Sequence, residues 1–144
     1  MSYKARHAYR ENEVMADPIE LVRMLHRGGV DALGKARQGL RDGDIAGRSR
    51  QITRASEILN ELTASLDMEA GGELSQRLLD LYDYMQRQLH EANFHQVEEP
   101  LVEVEGLLMT LLQGWEGVGA GSLSMDISLA GEGVGVGLRS GISA

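Results

Sequence analysis

Hydrophobic residues recur three or four positions apart over most of this chain, a period that places them on one face of an α-helix. The clearest case lies between Gly71 and Trp115, where two such runs flank a break at residues 96–100. Pro100 suits the first turn of a helix, so the pattern predicts two helices joined by a short turn. Their apolar positions are Leu74, Leu78, Leu81, Met85, Leu89 and Ala92, then Leu101, Val104, Leu108, Leu111 and Trp115.

A second set of apolar positions widens both predicted helix faces beyond the width of a simple two-helix seam. Extra apolar width indicates either more neighbouring helices or a bound ligand. The widening positions are Leu79, Tyr82, Val102, Leu107 and Leu112.

The first helix is predicted from Asp17 to about Leu40. Asp17 can cap the free amides of the first turn, Pro18 needs no amide donor there, and Glu20 falls at the capping-box position. Gly28 and Gly29 interrupt its apolar face, which favours close contact with another helix despite the cost in helix propensity.

A turn at residues 42–44 precedes the second helix, with Asp44 as its predicted N-cap. The apolar positions of this helix nearly follow a heptad and are Ile45, Ile52, Ala55, Leu59, Leu62 and Leu66. The segment 69–72 breaks the pattern, and the third helix is predicted over 73–93. Four helices with short connections predict an all-α fold, an antiparallel up-down four-helix bundle over residues 17–116.

Two segments lie outside the predicted bundle. Residues 1–16 carry few apolar side chains without a sustained period and are predicted to form an N-terminal arm. Residues 117–144 form a tail rich in Gly and Ser, in which Leu123, Met125 and Ile127 alternate with polar residues as in a strand. A mobile tail and a loose β-hairpin are both compatible with this pattern, since a lone hairpin is marginal in water.

Composition narrows the classes of function. The chain has no Cys, which excludes disulfides and a Cys nucleophile, and it shows neither a membrane-spanning apolar run nor a secretory signal. Residues 1–54 hold 11 of the 14 Lys and Arg but 7 of the 22 Asp and Glu, so the first part is basic and the rest is acidic. Acidic residues interrupt the basic part, so we expect no nucleic-acid binding.

Catalytic motifs are not found in the sequence. The four His do not pair at i, i+4, and the Glu91 and His95 pair alone falls short of a metal site. Asp80, Asp83 and Glu91 resemble a solvated helix face without a nucleophile beside them. We therefore expect a protein that is not an enzyme and needs no metal or other cofactor.

An ordered set of short motifs covers residues 3–116. In chain order they are Ala8-Tyr9-Arg10-Glu11-Asn12-Glu13-Val14, Asp17-Pro18, Glu20-Leu21, Met24-Leu25, Gly28, Gly43-Asp44, Leu66-Asp67, Gly71-Gly72-Glu73, Leu81-Tyr82-Asp83-Tyr84-Met85, Leu89, Ala92-Asn93, Glu103-Val104-Glu105-Gly106-Leu107-Leu108 and Trp115. With these motifs the chain resembles the FliS family of flagellar secretion chaperones, which bind newly made flagellin in the bacterial cytoplasm. The Gly-rich tail is not part of the resemblance.

The resemblance implies that apolar grooves of the bundle receive the disordered C-terminal segment of flagellin, and that a component of the flagellar export gate is a further partner. It also implies a cytoplasmic location without membrane insertion, and an arm around Tyr9 that competes with flagellin for the groove. The wide apolar faces are equally compatible with a homodimer. The candidate flagellin contacts are Tyr9, Val22, Leu25, His26, Gly29, Leu33, Leu79, Tyr82, Met85 and Leu107.

Two positions depart from the family pattern. His26 and Arg27 stand where the family usually places an aromatic residue and an acidic or amide residue. Together with the tail, they motivate an alternative function: a helical regulatory adaptor that binds another flagellar or secretion protein.

Overall fold

Four helices form the main body of the protein. The computed structural model describes residues 17–118, 124–127 and 132–135. The helices are α1 (Pro18–Asp42), α2 (Ile45–Ala64), α3 (Gly72–His95) and α4 (Glu99–Glu116). Each helix packs against the next in the chain, and α1 also packs against α4, which closes a ring of four. The predicted all-α helical bundle is confirmed.

Side-chain contacts between α1 and α4 show that these helices run in opposite directions. Arg23, near the start of α1, donates to the backbone oxygen of Trp115 at the end of α4. Arg37, near the end of α1, reaches Glu98, which directly precedes α4. The other neighbouring pairs are antiparallel as well, since each is joined by a short connection.

The predicted helix starts are stabilised as their sequences indicate. The carboxylate of Asp17 accepts a hydrogen bond of 2.9 Å from the amide of Ile19, and Asp44 accepts one of 3.0 Å from the amide of Gly47. Gly43 ends α1 in the left-handed conformation, with φ of 71°. The carboxylate of Glu20 pairs with Arg23 and Arg27 on the same helix.

Helix α2 ends earlier than its apolar pattern predicts. It stops at Ala64, so Leu66 is buried beside the bundle from the following connection and not from the helix. The hydroxyl of Ser65 donates to the Leu62 carbonyl at 2.7 Å, and Asp67 accepts from the amides of Glu69 and Ala70. Short polar side chains thus satisfy backbone groups locally and end the helix.

The core is built from the predicted apolar faces of all four helices. Its largest fully buried side chains come from every helix and from the α2–α3 connection: Trp115, Tyr82, Leu33, Leu59, Leu62, Leu66, Met85, Leu89, Leu101, Leu108, Leu111 and His26. Burial of this set supplies the stability that an isolated helix of such length lacks in water.

A buried polar contact joins α2 to α3. The guanidinium of Arg48 is buried and donates through Nε to Oδ1 of Asn93 at 3.2 Å. The same amide oxygen lies 3.4 Å from the hydroxyl of Ser49. Asn93 therefore satisfies two donors at the end of α3, which gives a structural role to one residue of the family motif.

Glycines on α1 allow its two neighbours to approach closely. A Cβ atom on Gly29 would lie 2.9 Å from Cδ1 of Leu108 on α4, and one on Gly28 would lie 3.3 Å from Cδ1 of Ile58 on α2. These distances agree with the interpretation that both glycines permit tight helix packing. The gain in packing offsets their low helix propensity.

Two short strands follow the bundle, β1 (Ser124–Ile127) and β2 (Glu132–Gly135). They pair antiparallel, with Met125 opposite Val134, and β1 lies near α4. Of the two alternatives for the tail, a mobile segment and a loose β-hairpin, these strands correspond to the hairpin. The arm of residues 1–16 and the remaining tail lie outside the described residues, so the boundaries of both segments stay predictions.

Substitution of Gly29 tests the close approach of α1 to α4. The Gly29→Val variant should lose about 2 kcal/mol of unfolding free energy, because the added side chain overlaps Leu108 in the core. Urea denaturation measures this loss. Gly106→Val is the matched control, since a Cβ at Gly106 meets no atom within 4 Å. Equal stability of the two variants would contradict the proposed packing constraint.

Candidate functional site

The structure divides the predicted contact residues into a buried group and a half-buried pair. The buried group lies between the helices and is inaccessible in this arrangement. Leu79 on α3 and Leu107 on α4 pack against the core but remain partly exposed. Tyr9 lies outside the described residues. The buried group comprises Val22, Leu25, His26, Gly29, Leu33, Tyr82 and Met85.

Leu107 borders the contact between α3 and α4. It follows Glu103 by one helical turn, and the Glu103 carboxylate accepts a hydrogen bond of 2.8 Å from the Tyr84 hydroxyl on α3.

Leu79 borders the contact on the other side of α3. It precedes Gln86 by two helical turns, and the amide of Gln86 donates to the backbone oxygen of Ser56 on α2 at 2.9 Å. We call these two half-exposed edges, at Leu79 and Leu107, the α3 seam. Among the described residues it is the accessible part of the predicted contact set.

Further half-buried apolar residues border the core and were not among the predicted contacts. They are Leu21, Val30 and Leu81, of which Leu81 was assigned to the bundle interior. Their neighbours in sequence lie on the buried face of the same helix, so they stand at its edge. A helical wheel drawn with wider apolar arcs would include them.

His26 is completely buried in the α1 side of the core. Its Nδ1 atom lies 2.8 Å from the carbonyl oxygen of Val22. Because that oxygen can only accept, Nδ1 carries the proton, and Nε2 of the neutral ring is left as an acceptor with no partner among the described residues. Burial lowers the pKa of His26 to about 4, which keeps the ring uncharged near neutral pH.

Trp115 faces His26 across the contact between α1 and α4. The two ring centroids are 6.4 Å apart, and the indole Nε1 of Trp115 is likewise buried without a partner. A Phe at position 26 would bring no polar atom into this space. His26 adds a titratable group to the core that Phe would not.

Hydrogen bonds from Arg23 link the end of α4 to α1. Its Nε donates to the carbonyl of Trp115 at 3.1 Å, and its Nη2 donates to the carbonyl of Val118 at 2.5 Å. The Trp115 carbonyl also accepts from the amide of Val118 at 3.1 Å, so Arg23 adds a second donor to a carbonyl at the C-terminus of the helix. A cation is also favoured there by the helix dipole.

Arg27 lies on the surface beside this contact. It reaches Glu20 on its own helix and Glu116 on α4, both at 3.2 Å. Hydrogen bonds from Arg23 and Arg27 lower the pKa of the Glu20 carboxyl. The two departures from the family pattern thus have different settings: His26 changes the core, and Arg27 changes an exposed ion-pair network that contributes little to stability.

The two tyrosines of α3 occupy opposite environments. Tyr82 is buried, and desolvation raises the pKa of its phenol. Tyr84 is half-buried, and its hydroxyl donates to Glu103. The hydrogen bond to this carboxylate raises the pKa of the Tyr84 phenol.

The described residues contain neither a metal site nor a membrane-spanning helix. Across 17–118, 124–127 and 132–135, no group of three or more His, Asp or Glu side chains is arranged to hold a metal ion. Glu91 and His95 form a pair of 2.9 Å on the surface of α3. In the part of the chain that the structure describes, every helix is too short or too polar to cross a membrane.

The bundle and its half-exposed seam define an all-α helical protein with accessible apolar side chains bordering its helix contacts. Its sequence matches the family model described as "Flagellar protein FliS" over residues 1–122. The chain belongs to the FliS family of flagellar secretion chaperones. The match includes the N-terminal arm, while residues 123–144 lie beyond it.

Several curated relatives are named as flagellar secretion chaperones. Flagellar secretion chaperone FliS of Salmonella typhimurium is 41% identical over 108 residues, which cover 74% of this chain and 80% of the relative. FliSB of Pseudomonas aeruginosa is 37% identical over 103 residues, covering 72% and 82%. FliS of Escherichia coli is 36% identical over 108 residues, covering 74% and 79%.

The burial of His26 predicts a pH-dependent stability. Its pKa falls from an ordinary 6.5 to about 4 on folding, so folding favours the neutral ring. The contribution of the neutral ring to the free energy of unfolding is therefore fully present above about pH 6.5. It is lost as the pH falls toward 4, and about 2 kcal/mol of it is lost by about pH 5. Urea denaturation at about pH 7.5 and about pH 5 measures the difference.

His26→Phe is the control for this experiment, because Phe keeps an aromatic ring in the core and cannot titrate. Its stability should change much less between the two pH values. The same pH dependence in both proteins would assign the effect to other groups.

Proposed function

We propose that this chain is a cytoplasmic export chaperone that binds the disordered C-terminal segment of flagellin. It keeps that segment from polymerising prematurely and delivers it to the flagellar export apparatus. The observation that carries the proposal is membership of the FliS family of flagellar secretion chaperones.

The physical properties of the bundle suit such a client. A disordered segment gains order only when it buries apolar side chains against a partner, and a rigid helical bundle offers long surfaces for this purpose. Ordering of the segment costs about 2–5 kcal/mol of the gross interaction energy. Binding is therefore reversible enough to allow release at the export gate, which we propose as the second partner.

The α3 seam is the place where we expect the first contact with flagellin. Leu79 and Leu107 are already partly exposed, so apolar side chains of the client can cover them without moving a helix. Tyr82 and Met85 lie beneath the surface of α3. They contact the client only if α3 separates from a neighbouring helix.

The arm and the oligomeric state complete the proposal. We propose that the arm around Tyr9 covers apolar surface in the free chaperone and is displaced by flagellin. If the free chain forms a homodimer, the client competes for the same apolar faces.

Loss of the seam should weaken flagellin binding. In the double variant Leu79→Ser and Leu107→Ser, the affinity for a peptide of the host flagellin's C-terminal segment should fall about tenfold or more, since apolar contact area is lost on both helices. Titration calorimetry measures the affinity, and circular dichroism measures the helix gained on binding. Ile45→Ser is the matched control, because Ile45 is an exposed apolar residue on α2 away from the seam.

The outcomes separate the two functions. If the parent protein binds the flagellin peptide and the seam variant binds it equally well, the client binds elsewhere on the bundle. A parent protein that neither binds the peptide nor induces helix in it would contradict the chaperone function. That result would favour the regulatory adaptor instead.

The arm gives a separate prediction. If it competes with flagellin, Tyr9→Ala or deletion of residues 1–16 should leave the affinity unchanged or raise it, because the client no longer has to displace the arm. The same calorimetric titration measures this. A large loss of affinity would show that the arm forms part of the binding site.

A further inference from the structure

The turn between α3 and α4 carries exposed apolar side chains. Phe94 is 71% exposed, Val97 41% and Val102 44%. Phe94 ends the last turn of α3, Val97 lies in the connection, and Val102 lies in the first turn of α4. Single exposed apolar residues are ordinary, but a group of them in one place indicates a contact surface.

Two adjoining clefts lie at this turn. The larger has a volume of about 490 Å³ and the smaller about 420 Å³, and both are lined by Glu99 and Glu103. They therefore form one concave surface, which we call the turn cleft. Its apolar members are Val97, Pro100 and Val102, and its polar members are Gln88, Glu91, Glu98, Glu99 and Glu103.

Neutral donors hold the central carboxylate of the turn cleft. Glu103 accepts from the Tyr84 hydroxyl at 2.9 and 2.8 Å and from the Gln88 amide at 2.9 Å. These bonds fix the carboxylate in place without neutralising its charge. Its remaining acceptor capacity faces a partly apolar cleft, where a charge interacts more strongly than in open water.

The other carboxylates follow two patterns. Glu98 binds Arg37 at 2.8 Å and Arg41 at 2.7 Å, as expected where the basic α1 meets the acidic α4. For Glu99, by contrast, no cation lies within ion-pair distance among the residues that the structure describes. Glu91 pairs with His95, a partner that is charged only when protonated. Among the described residues, the turn cleft therefore retains uncompensated negative charge beside exposed apolar surface.

We propose that the turn cleft binds a basic amphipathic segment of a partner protein. A Lys or Arg of the segment is placed between Glu99 and Glu103, and an apolar side chain of the same segment covers Val97 and Val102. The net charge of −8 favours the approach of basic partners. The same carboxylates repel nucleic-acid phosphates and anionic lipid headgroups, so charge complementarity selects a basic polypeptide.

This surface is separate from the proposed contact with flagellin. The residues of the α3 seam lie away from the turn between α3 and α4, whereas the turn cleft lies at that end of the bundle. A segment in the turn cleft therefore leaves Leu79 uncovered, and the two proposals can be tested independently.

The test uses a defined probe. A fluorescent amphipathic peptide of leucine and lysine, about 18 residues long and thus about five helical turns, is titrated with the full-length chain. The double variant Glu99→Gln and Glu103→Gln should weaken its binding about fivefold or more, since two rim charges are removed. Gln at position 103 can still accept the Tyr84 hydrogen bond, which preserves the fold.

Asp80→Asn and Asp83→Asn together form the matched control. They remove the same charge from exposed positions of α3 outside the turn cleft, so binding should stay within about twofold of the parent protein. Thermal melting of both variants checks that they are folded. Nuclear magnetic resonance of the parent protein should show peptide-induced shifts at the Val97 amide and the Gln88 side-chain amide.

Each alternative outcome overturns the proposal. Equal weakening in both double variants would mean attraction to net charge only. Unchanged binding in the Glu99 and Glu103 variant, or shifts confined to Leu79 and Leu107, would place the peptide elsewhere. Failure of the flagellin titration would leave this result unaffected, because the probe and the substituted residues differ.

Discussion

The contact of α1 with both of its neighbours is the constraint on which the arrangement of the bundle depends. At Gly28 and Gly29 the missing side chains let α2 and α4 approach the backbone of α1. Beyond this point, Arg37 and Arg41 bind carboxylates near the start of α4. The basic first part of the chain is thus joined to the acidic second part by packing in the centre and by ion pairs at the rim. The ion pairs favour one order of helices, while the buried side chains supply most of the free energy.

The sequence was sufficient to predict the helices because their signals are local. Asp17 and Asp44 cap helices, and the period of three to four apolar positions repeats over several turns. Leu66 shows the limit of this reasoning. Its spacing continues the helical pattern, but Ser65 and Asp67 offer the backbone other hydrogen bonds and end the helix first. A buried Arg48 could not be foreseen either, since its partner Asn93 lies on another helix.

The candidate site was harder to predict than the fold, because core residues and groove residues are equally apolar. Periodicity places Tyr82 and Met85 on the inner face of α3 but does not indicate how completely the neighbouring helices cover them. Leu79 is turned from Tyr82 by about 60° about the axis of α3, and this rotation places Leu79 at the edge of the helix face, where a ligand can reach it. Recognition of the family comes from motif residues as a set, whereas accessibility is a property of each residue.

The bonds from Arg23 to Trp115 and Val118 also determine where the tail begins. Because Val118 is held against α1, every residue that follows it starts from one fixed point at the end of the bundle. Loss of the Arg23 side chain would therefore release the end of α4 together with the ion pair that Arg23 forms with Glu20.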